Sequence, residues 1–237
     1  TKNIEPFSLR LEKKDCLDLP DKTFTPMYVE LTPEQERVYK SIKEDSIAML
    51  QGELVTTTMA LTRIVKLHQI LTGFVITDDN VTVNLKNNRI TLLQQIAETT
   101  RPLVIFCAYK HNVQQIKAAL SDYKVVTYTG NDSTAQKNDA VLAFQEGDAD
   151  IFVGTSAAAK GLTLTRASTM VYYSNNYSLE NRLQSQDRIH RIGQDNKCTY
   201  IDLVVPNSID EAILRRLKEK KELSNEVLDD LIDIIKQ

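Results

Sequence analysis

From residue 103 onward the chain alternates short, continuous apolar runs with longer segments of mixed character. The runs fall at 103–107, 125–128, 151–153, 168–173 and 199–205, and each predicts a strand. The mixed segments predict helices at 110–120, 134–146, 179–191 and 209–222. Strands alternating with helices in this way indicate a parallel sheet covered by helices, and such open sheets bind ligands beyond the carboxyl ends of their strands. Before residue 103 the pattern differs. An extended, proline-bearing entry precedes expected helices at 33–51, 54–72 and 88–99, and a hairpin-like pair at 74–77 and 81–85 brackets Asp78-Asp79-Asn80. The helical pair at 33–72 reads either as an insertion protruding from the sheet domain or as a helical subdomain packed on its core.

With 237 residues, 42% of them hydrophobic, the chain can bury one sizeable core, and one large domain is expected. A net charge of −3 is not the overall footprint of a nucleic-acid binder, so any such surface must be a local patch offset by acid elsewhere, part of it in residues 226–233. Cys16, Cys107 and Cys198 are odd in number and widely spaced, which suits reduced core thiols in an intracellular, reducing compartment rather than a disulfide framework or metal site. His68 and His111 show no metal spacing. No apolar run approaches the roughly 18 residues that span a bilayer and no signal peptide is visible, so neither membrane insertion nor secretion is expected.

One segment departs from ordinary helix composition. From Ser178, a candidate N-cap, to Arg191 the only apolar residues are Leu179, Leu183 and Ile189, too few for burial alone to explain the helix. Gln184, Arg188 and Arg191 are spaced i, i+4 and i+7, which puts two guanidiniums and an amide on one stripe. The planar fork of arginine suits phosphoryl oxygens, so an arginine finger is the sharp reading. The bland one is a solvated helix with an Asp187–Arg191 surface pair.

The run Gln184-Ser185-Gln186-Asp187-Arg188-Ile189-His190-Arg191-Ile192-Gly193-Gln194 resembles the Gln-Ala-x-Asp-Arg-x-His-Arg-Ile-Gly-Gln signature in the second motor lobe of SNF2-like ATPases, within helicase superfamily 2. Only Ser185 differs. Other segments follow in that family's order: Leu19, Pro20 and Lys22 are similar to its Leu-Pro-x-Lys element, and Gln35 with Tyr39 to its Gln-x-x-x-Tyr. Pro102 to Cys107, Tyr128-Thr129-Gly130, and Gly154 to Leu164 resemble its next strand motif, a following loop and its motif V. Together these cover about residues 9–223. Ala158 and Ala159 stand where the family usually has a glycine pair, Thr163 where it has asparagine, and Ser174 to Leu179 lack the acid and proline of its Asp-x-x-Trp-Asn-Pro. These departures point away from the best-studied eukaryotic remodellers and towards a divergent bacterial or viral member.

The resemblance implies an α/β fold, a RecA-like parallel sheet covered by helices on both faces with a helical insertion near the N-terminus. Residues 1–237 would form one helicase C-terminal domain, with 33–72 as the protrusion and C-terminal helices over 206–237. It implies the second lobe of an ATP-dependent translocase on double-stranded DNA, with Arg188 and Arg191 as fingers and Gly161, Leu162 and Gln184 lining the interlobe nucleotide side. Thr129, Gly130, Thr155 and Ser156 match positions that hold a nucleic-acid backbone, and Lys110 and Lys160 would add positive charge to that track. His190 would orient the arginine motif. No G-x-x-x-x-G-K-[ST] occurs, and Asp210-Glu211-Ala212 opens a helix behind Ser208 as a capping box rather than ending a strand as metal-binding acids do. ATP with Mg²⁺ would therefore be bound mainly by an N-terminal RecA-like lobe, and the chain, which starts at Thr1, is expected to be a fragment, inactive alone and monomeric. The first rival reading is a catalytically inactive RecA-like DNA-binding or protein-docking module. A Rossmann-type nucleotide or methyl-transfer enzyme is the second, opposed by the absence of G-x-G-x-x-G.

Overall fold

The structure, a computed structural model, describes residues 19–52 and 57–219. Its elements run β1 (Lys22–Tyr28), α1 (Pro33–Gly52), α2 (Thr57–Leu71), β2 (Phe74–Ile76), β3 (Thr82–Asn84), α3 (Asn88–Thr99), β4 (Leu103–Phe106), α4 (Lys110–Ala119), β5 (Val125–Tyr128), α5 (Thr134–Glu146), β6 (Ile151–Gly154), β7 (Thr169–Tyr172), α6 (Leu179–Ile189), β8 (Cys198–Val204) and α7 (Ile209–Lys218). Six strands form one sheet in the order β1-β8-β7-β4-β6-β5, every pairing parallel, while β2 and β3 form a separate antiparallel hairpin.

The apolar runs are continuous because both faces of the sheet are covered. Successive side chains point to opposite faces. Leu103, Ile105, Ile151 and Val153 enter one core cluster with Ile64 and Leu67 of α2, Leu93 of α3, Ile116 of α4 and Ile213 of α7. Val104, Phe106, Phe152 and Met170 enter the other, with Phe144 of α5 and Ile189 of α6. This is the RecA-like α/β architecture, with the expected helical segment after β1 contributing α2 to the first core.

Local chemistry sets several boundaries. α5 begins at a full capping box, where Ser133 accepts the Gln136 N–H and the Gln136 side chain accepts the Ser133 N–H, and it ends at Gly147 with φ +97°. At α7 the Ser208 hydroxyl accepts the Asp210 N–H, and the Glu211 carboxylate accepts the N–H of Asn207, one residue before the expected partner. β1 is the element that an extended entry undersold. It pairs with β8 along its whole length, and Pro26, which cannot donate, is tolerated because β1 is an edge strand. Among the described residues Cys107 and Cys198 are free and buried, and no helix is long and apolar enough to cross a membrane. Cys16 lies outside the described residues, as do residues 220–222 of the helix expected at 209–222 and the rest of the tail.

A buried polar cluster joins the helical segment to the sheet. The Arg89 guanidinium, fully buried, donates to the carbonyls of Leu71, Tyr173 and Leu203 and pairs with Asp210. Beside it, His68 Nδ1 lies 2.9 Å from Tyr109 Oη, and its Nε2 is 3.5 Å from Asp210 Oδ1. That carboxylate already serves Arg89, so proximity does not protonate the ring. Burial, reinforced by the Arg89 charge, pushes the imidazole down to about 3. An unfolded histidine titrates near 6.5, so the unfolded chain takes up the proton first and stability falls as pH drops below about 6.5. Urea denaturation at pH 7 and pH 5 should show a loss of about 2 kcal/mol that His68→Asn removes. Equal losses in the two proteins would refute a neutral buried His68.

Candidate functional site

Parallel strands put all their carboxyl ends on one edge, and the expected contact residues follow those ends. Lys110 opens α4 just past β4, Thr129 and Gly130 follow β5, and Thr155 and Ser156 follow β6. The first three meet at the turn after β5. Lys110 Nζ donates to Asn131 Oδ1 at 2.5 Å, and a Cβ added to Gly130 would meet that ammonium at 3.8 Å. Thr129 is buried, its N–H donating to Asp132 and its hydroxyl accepting from the Asn131 N–H. Thr155 is likewise buried, whereas Ser156 is exposed and opens a 3-10 turn at Ser156–Ala159. Lys160 falls elsewhere. Its ammonium pairs with Glu180 on α6 at 3.2 Å, and the same carboxylate accepts from Gln184 at 2.7 Å. Those two donors hold the exposed Glu180 carboxyl below its ordinary range.

α6 stops at Ile189, capped by His190, so Arg191 lies beyond the helix that was expected to carry it. The turn there closes through the Gln194 N–H to the Arg191 carbonyl, with Gly193 at φ +92°. The convergence survives. Arg188 Nη1 and Arg191 Nη1 both donate to the Leu162 carbonyl, at 3.1 and 3.3 Å. Arg191 also reaches Thr163 Oγ1 at 2.9 Å, and Arg188 Nε the Gln184 carbonyl at 2.9 Å. Gly161, at φ +74° with nothing near its absent Cβ, supplies the backbone conformation that presents Leu162. Partial burial and then the charge of Arg191 lower the Arg188 pKa. Asp187 pairs with Lys22 of β1 at 3.8 Å, in place of the surface pair with Arg191. Among the described residues no ion pair neutralises Arg188 or Arg191, so two cations share neutral acceptors.

Beneath these arginines lies a layer that sequence reasoning missed. Arg182 is buried and sets its fork on Asp202 of β8, Nη1 to Oδ1 at 2.5 Å and Nη2 to Oδ2 at 3.0 Å. Asn175 bridges the pair, accepting from Arg182 at 2.6 Å and donating to Asp202 at 2.9 Å. The guanidinium carbon sits 3.5 Å from the centre of the Tyr172 ring. Further along, Ser185 meets the Tyr172 hydroxyl at 2.7 Å and Tyr200 donates to the Gln186 carbonyl. His190 Nε2 lies 2.7 Å from the Pro20 carbonyl, so that nitrogen carries the proton and ties the opening Leu-Pro element to the arginine motif. The visible signal was Asp202, an acid inside an otherwise apolar strand run.

The departures have local explanations. Ala158 and Ala159 are core residues, Thr163 holds Arg191, and the Ser174 hydroxyl accepts the Ala108 N–H at 2.9 Å. Tyr177 packs edge-on to His68, ring centres 5.6 Å apart. The cleft between β4, β7 and α6, lined by Cys107, Ser156, Ser174, Asn175, Arg182 and Ser185, has an interior of about 20 Å³. That is room for a single water and for nothing larger.

A six-stranded parallel sheet with this arginine loop at its carboxyl edge is similar to the C-terminal lobe of superfamily 2 helicases. The family model described as "Helicase conserved C-terminal domain" matches residues 88–193. The relatives and folds that this chain resembles include SNF2-like proteins. It is 28% identical to "Nuclear protein STH1/NPS1" of Saccharomyces cerevisiae over 96% of this chain and 19% of that protein. It is 24% identical to "Uncharacterized ATP-dependent helicase MG018" of Mycoplasma genitalium over 99% of this chain and 24% of that protein. The chain thus spans about a fifth to a quarter of these relatives. Its fold matches the C-terminal part of the Fun30 ATPase domain with TM-score 0.76 at 20% identity, covering 92% of this chain and 97% of that one. A Sulfolobus solfataricus SWI2/SNF2 ATPase core in complex with dsDNA matches with TM-score 0.66 at 22% identity, covering 97% of this chain and 50% of that one.

The loop after Arg191 is fixed chiefly by Gln194, whose buried amide donates to the carbonyls of Thr165, Ala167 and Ile189. Gln194→Leu leaves three carbonyls without that donor and should lower unfolding free energy by about 1–3 kcal/mol, read from urea titrations.

Proposed function

We propose that this chain is the second motor lobe of an ATP-dependent translocase on double-stranded DNA, with Arg188 and Arg191 acting on the phosphates of ATP held between it and an N-terminal RecA-like lobe. One observation carries the reading: two guanidiniums converge on the Leu162 carbonyl while, among the described residues, no ion pair neutralises them. Like charges brought together against neutral acceptors form a site for a polyanion, and arginine donors stabilise the charge that develops on a phosphoryl group in transfer. Gly161, Leu162 and Gln184 line the same side. Lys110, Thr129, Gly130, Thr155 and Ser156 would hold the DNA backbone at the sheet edge through charge and main-chain groups that carry no sequence preference, with Lys160 beside α6 extending that track. Residues 1–237 would act as one domain of a monomeric motor, with 33–72 as a helical segment seated on the first core through α2 rather than a free protrusion, and C-terminal helices over 206–237.

Mg²⁺ would neutralise the phosphates of bound ATP. The residues of this chain do not fit it: among the described residues no group of three or more His, Cys, Asp or Glu is placed to hold a metal ion, and the sequence has no phosphate-cradling loop. Mg²⁺ and most of the nucleotide are therefore assigned to the other lobe, and the chain alone should not turn over ATP. The rival reading, a RecA-like module that only binds DNA or protein, leaves the two gathered arginines without a purpose.

In the intact protein, combining Arg188→Ala with Arg191→Ala should lower DNA-stimulated ATP turnover by about 10³-fold or more. Unchanged turnover would remove the finger assignment, and no turnover in either protein would favour the binding module. Lys110→Ala should weaken binding to duplexes of different sequence equally and reduce the slope of log K against log salt by about 1. An unaltered slope would place Lys110 off the track.

A further inference from the structure

We infer that the Arg182–Asp202 pair is a positioning device for the arginine loop: it fixes where α6 sits, and through α6 where Arg188 and Arg191 point. The inference rests on the finger reading above. α6 has a small apolar seat: Ile189 is its one buried core member, Leu179 packs half-buried against the other cluster, and Leu183 is 45% exposed. Polar contacts hold it as well: apart from Arg182 these are the Lys22–Asp187 ion pair at 3.8 Å and single bonds involving Ser185, His190 and the carbonyls of Gln186, Arg188 and Ile189. A single neutral bond leaves a helix free to pivot. The Arg182 fork does not, because two parallel N–H···O bonds fix the guanidinium plane while the Tyr172 ring beneath fixes its face. Arg188 is six residues further on, about 9 Å along the helix axis, so a small rotation about this pin displaces its tip appreciably.

Stability does not account for the pair. Two buried charges replaced together by apolar side chains of similar volume commonly leave stability unchanged or improved. What an apolar pair cannot supply is a fixed orientation. Asn175 extends that orientation to the loop between β7 and α6, since its amide touches both members.

The experiment compares steady-state, DNA-stimulated ATP hydrolysis by the intact protein carrying Arg182→Met with Asp202→Leu, alone and combined with Arg188→Ala. A positioning role predicts a urea midpoint at or above the unaltered protein's, kcat lowered roughly 10–100-fold and KM for ATP within about threefold. In the Arg188→Ala background the pair should cost at most about twofold more, because its effect passes through that arginine. Undiminished kcat, a change confined to KM, or the full loss repeated without Arg188 would overturn the inference while leaving the finger reading intact. Should the apolar pair fail to fold, Arg182→Lys serves instead. It keeps the charge opposite Asp202 and loses the fork, so kcat should fall at an unchanged urea midpoint, and full kcat would refute the role. If Arg188→Ala itself leaves turnover unaltered, the finger reading falls and this inference with it.

Discussion

A guanidinium removed from water must find a partner for its donors, and Arg89 is the residue on which the carboxyl edge of this sheet depends. Its side chain joins the end of α2 through the Leu71 carbonyl, the ends of β7 and β8 through Tyr173 and Leu203, and the start of α7 through Asp210. Four segments are thereby held to one another by a single charge. Loss of either member of the ion pair would leave a buried charge without compensation, which costs several kcal/mol, so these segments are constrained to move together or not at all.

The same two strand ends carry the second buried pair on their other face. Tyr172 and Asp202 are register partners on β7 and β8, and together they receive Arg182 from α6. The next residues along, Tyr173 and Leu203, turn their carbonyls to Arg89. β7 and β8 are thus clamped from both sides where they end, one clamp facing the helical segment and α7, the other facing the arginine helix. The register of two strands in the sheet in this way decides the placement of a surface loop that neither strand contains.

Much of this architecture was legible because it is local. β4 and β6 read correctly as strands because both faces are buried and every residue of each is excluded from solvent. The helix expected at 134–146 coincides with α5, whose cap chemistry at Ser133, Gln136 and Gly147 involves only sequence neighbours. The resemblance of residues 184–194 led to the cluster of Gln184, Arg188 and Arg191 with Leu162. The pins beneath α6 stayed hidden because Arg182 and Asp202 are 20 residues apart and obey no period; a buried arginine on a polar helix looks the same in sequence as a solvated one. Helical spacing carried Arg191 onto α6, whereas the helix ends two residues earlier at Ile189, with the cap residue His190 engaged with Pro20. β1 was hidden by Pro26, which argues against a strand unless the strand is known to lie at an edge.

The arginine loop combines a fixed base with releasable tips. At its base, Arg182 is buried in a charge-paired, ring-backed socket, from which withdrawal is costly. At its tips, Arg188 and Arg191 share a neutral carbonyl, an arrangement in which each cation disfavours the other. An anionic oxygen adds a charge–charge attraction that a carbonyl lacks, and it also relieves the repulsion between the two cations. On the proposed reading, phosphate oxygens would therefore compete for both side chains against an uncharged partner. Gly161 stands clear of other side chains just before Leu162, whose buried side chain fixes the backbone that lends its carbonyl. Contacts within this chain alone thus favour a state in which the helix is already oriented and its charged ends are gathered but not neutralised, which on the proposed reading an anion presented from a second surface completes.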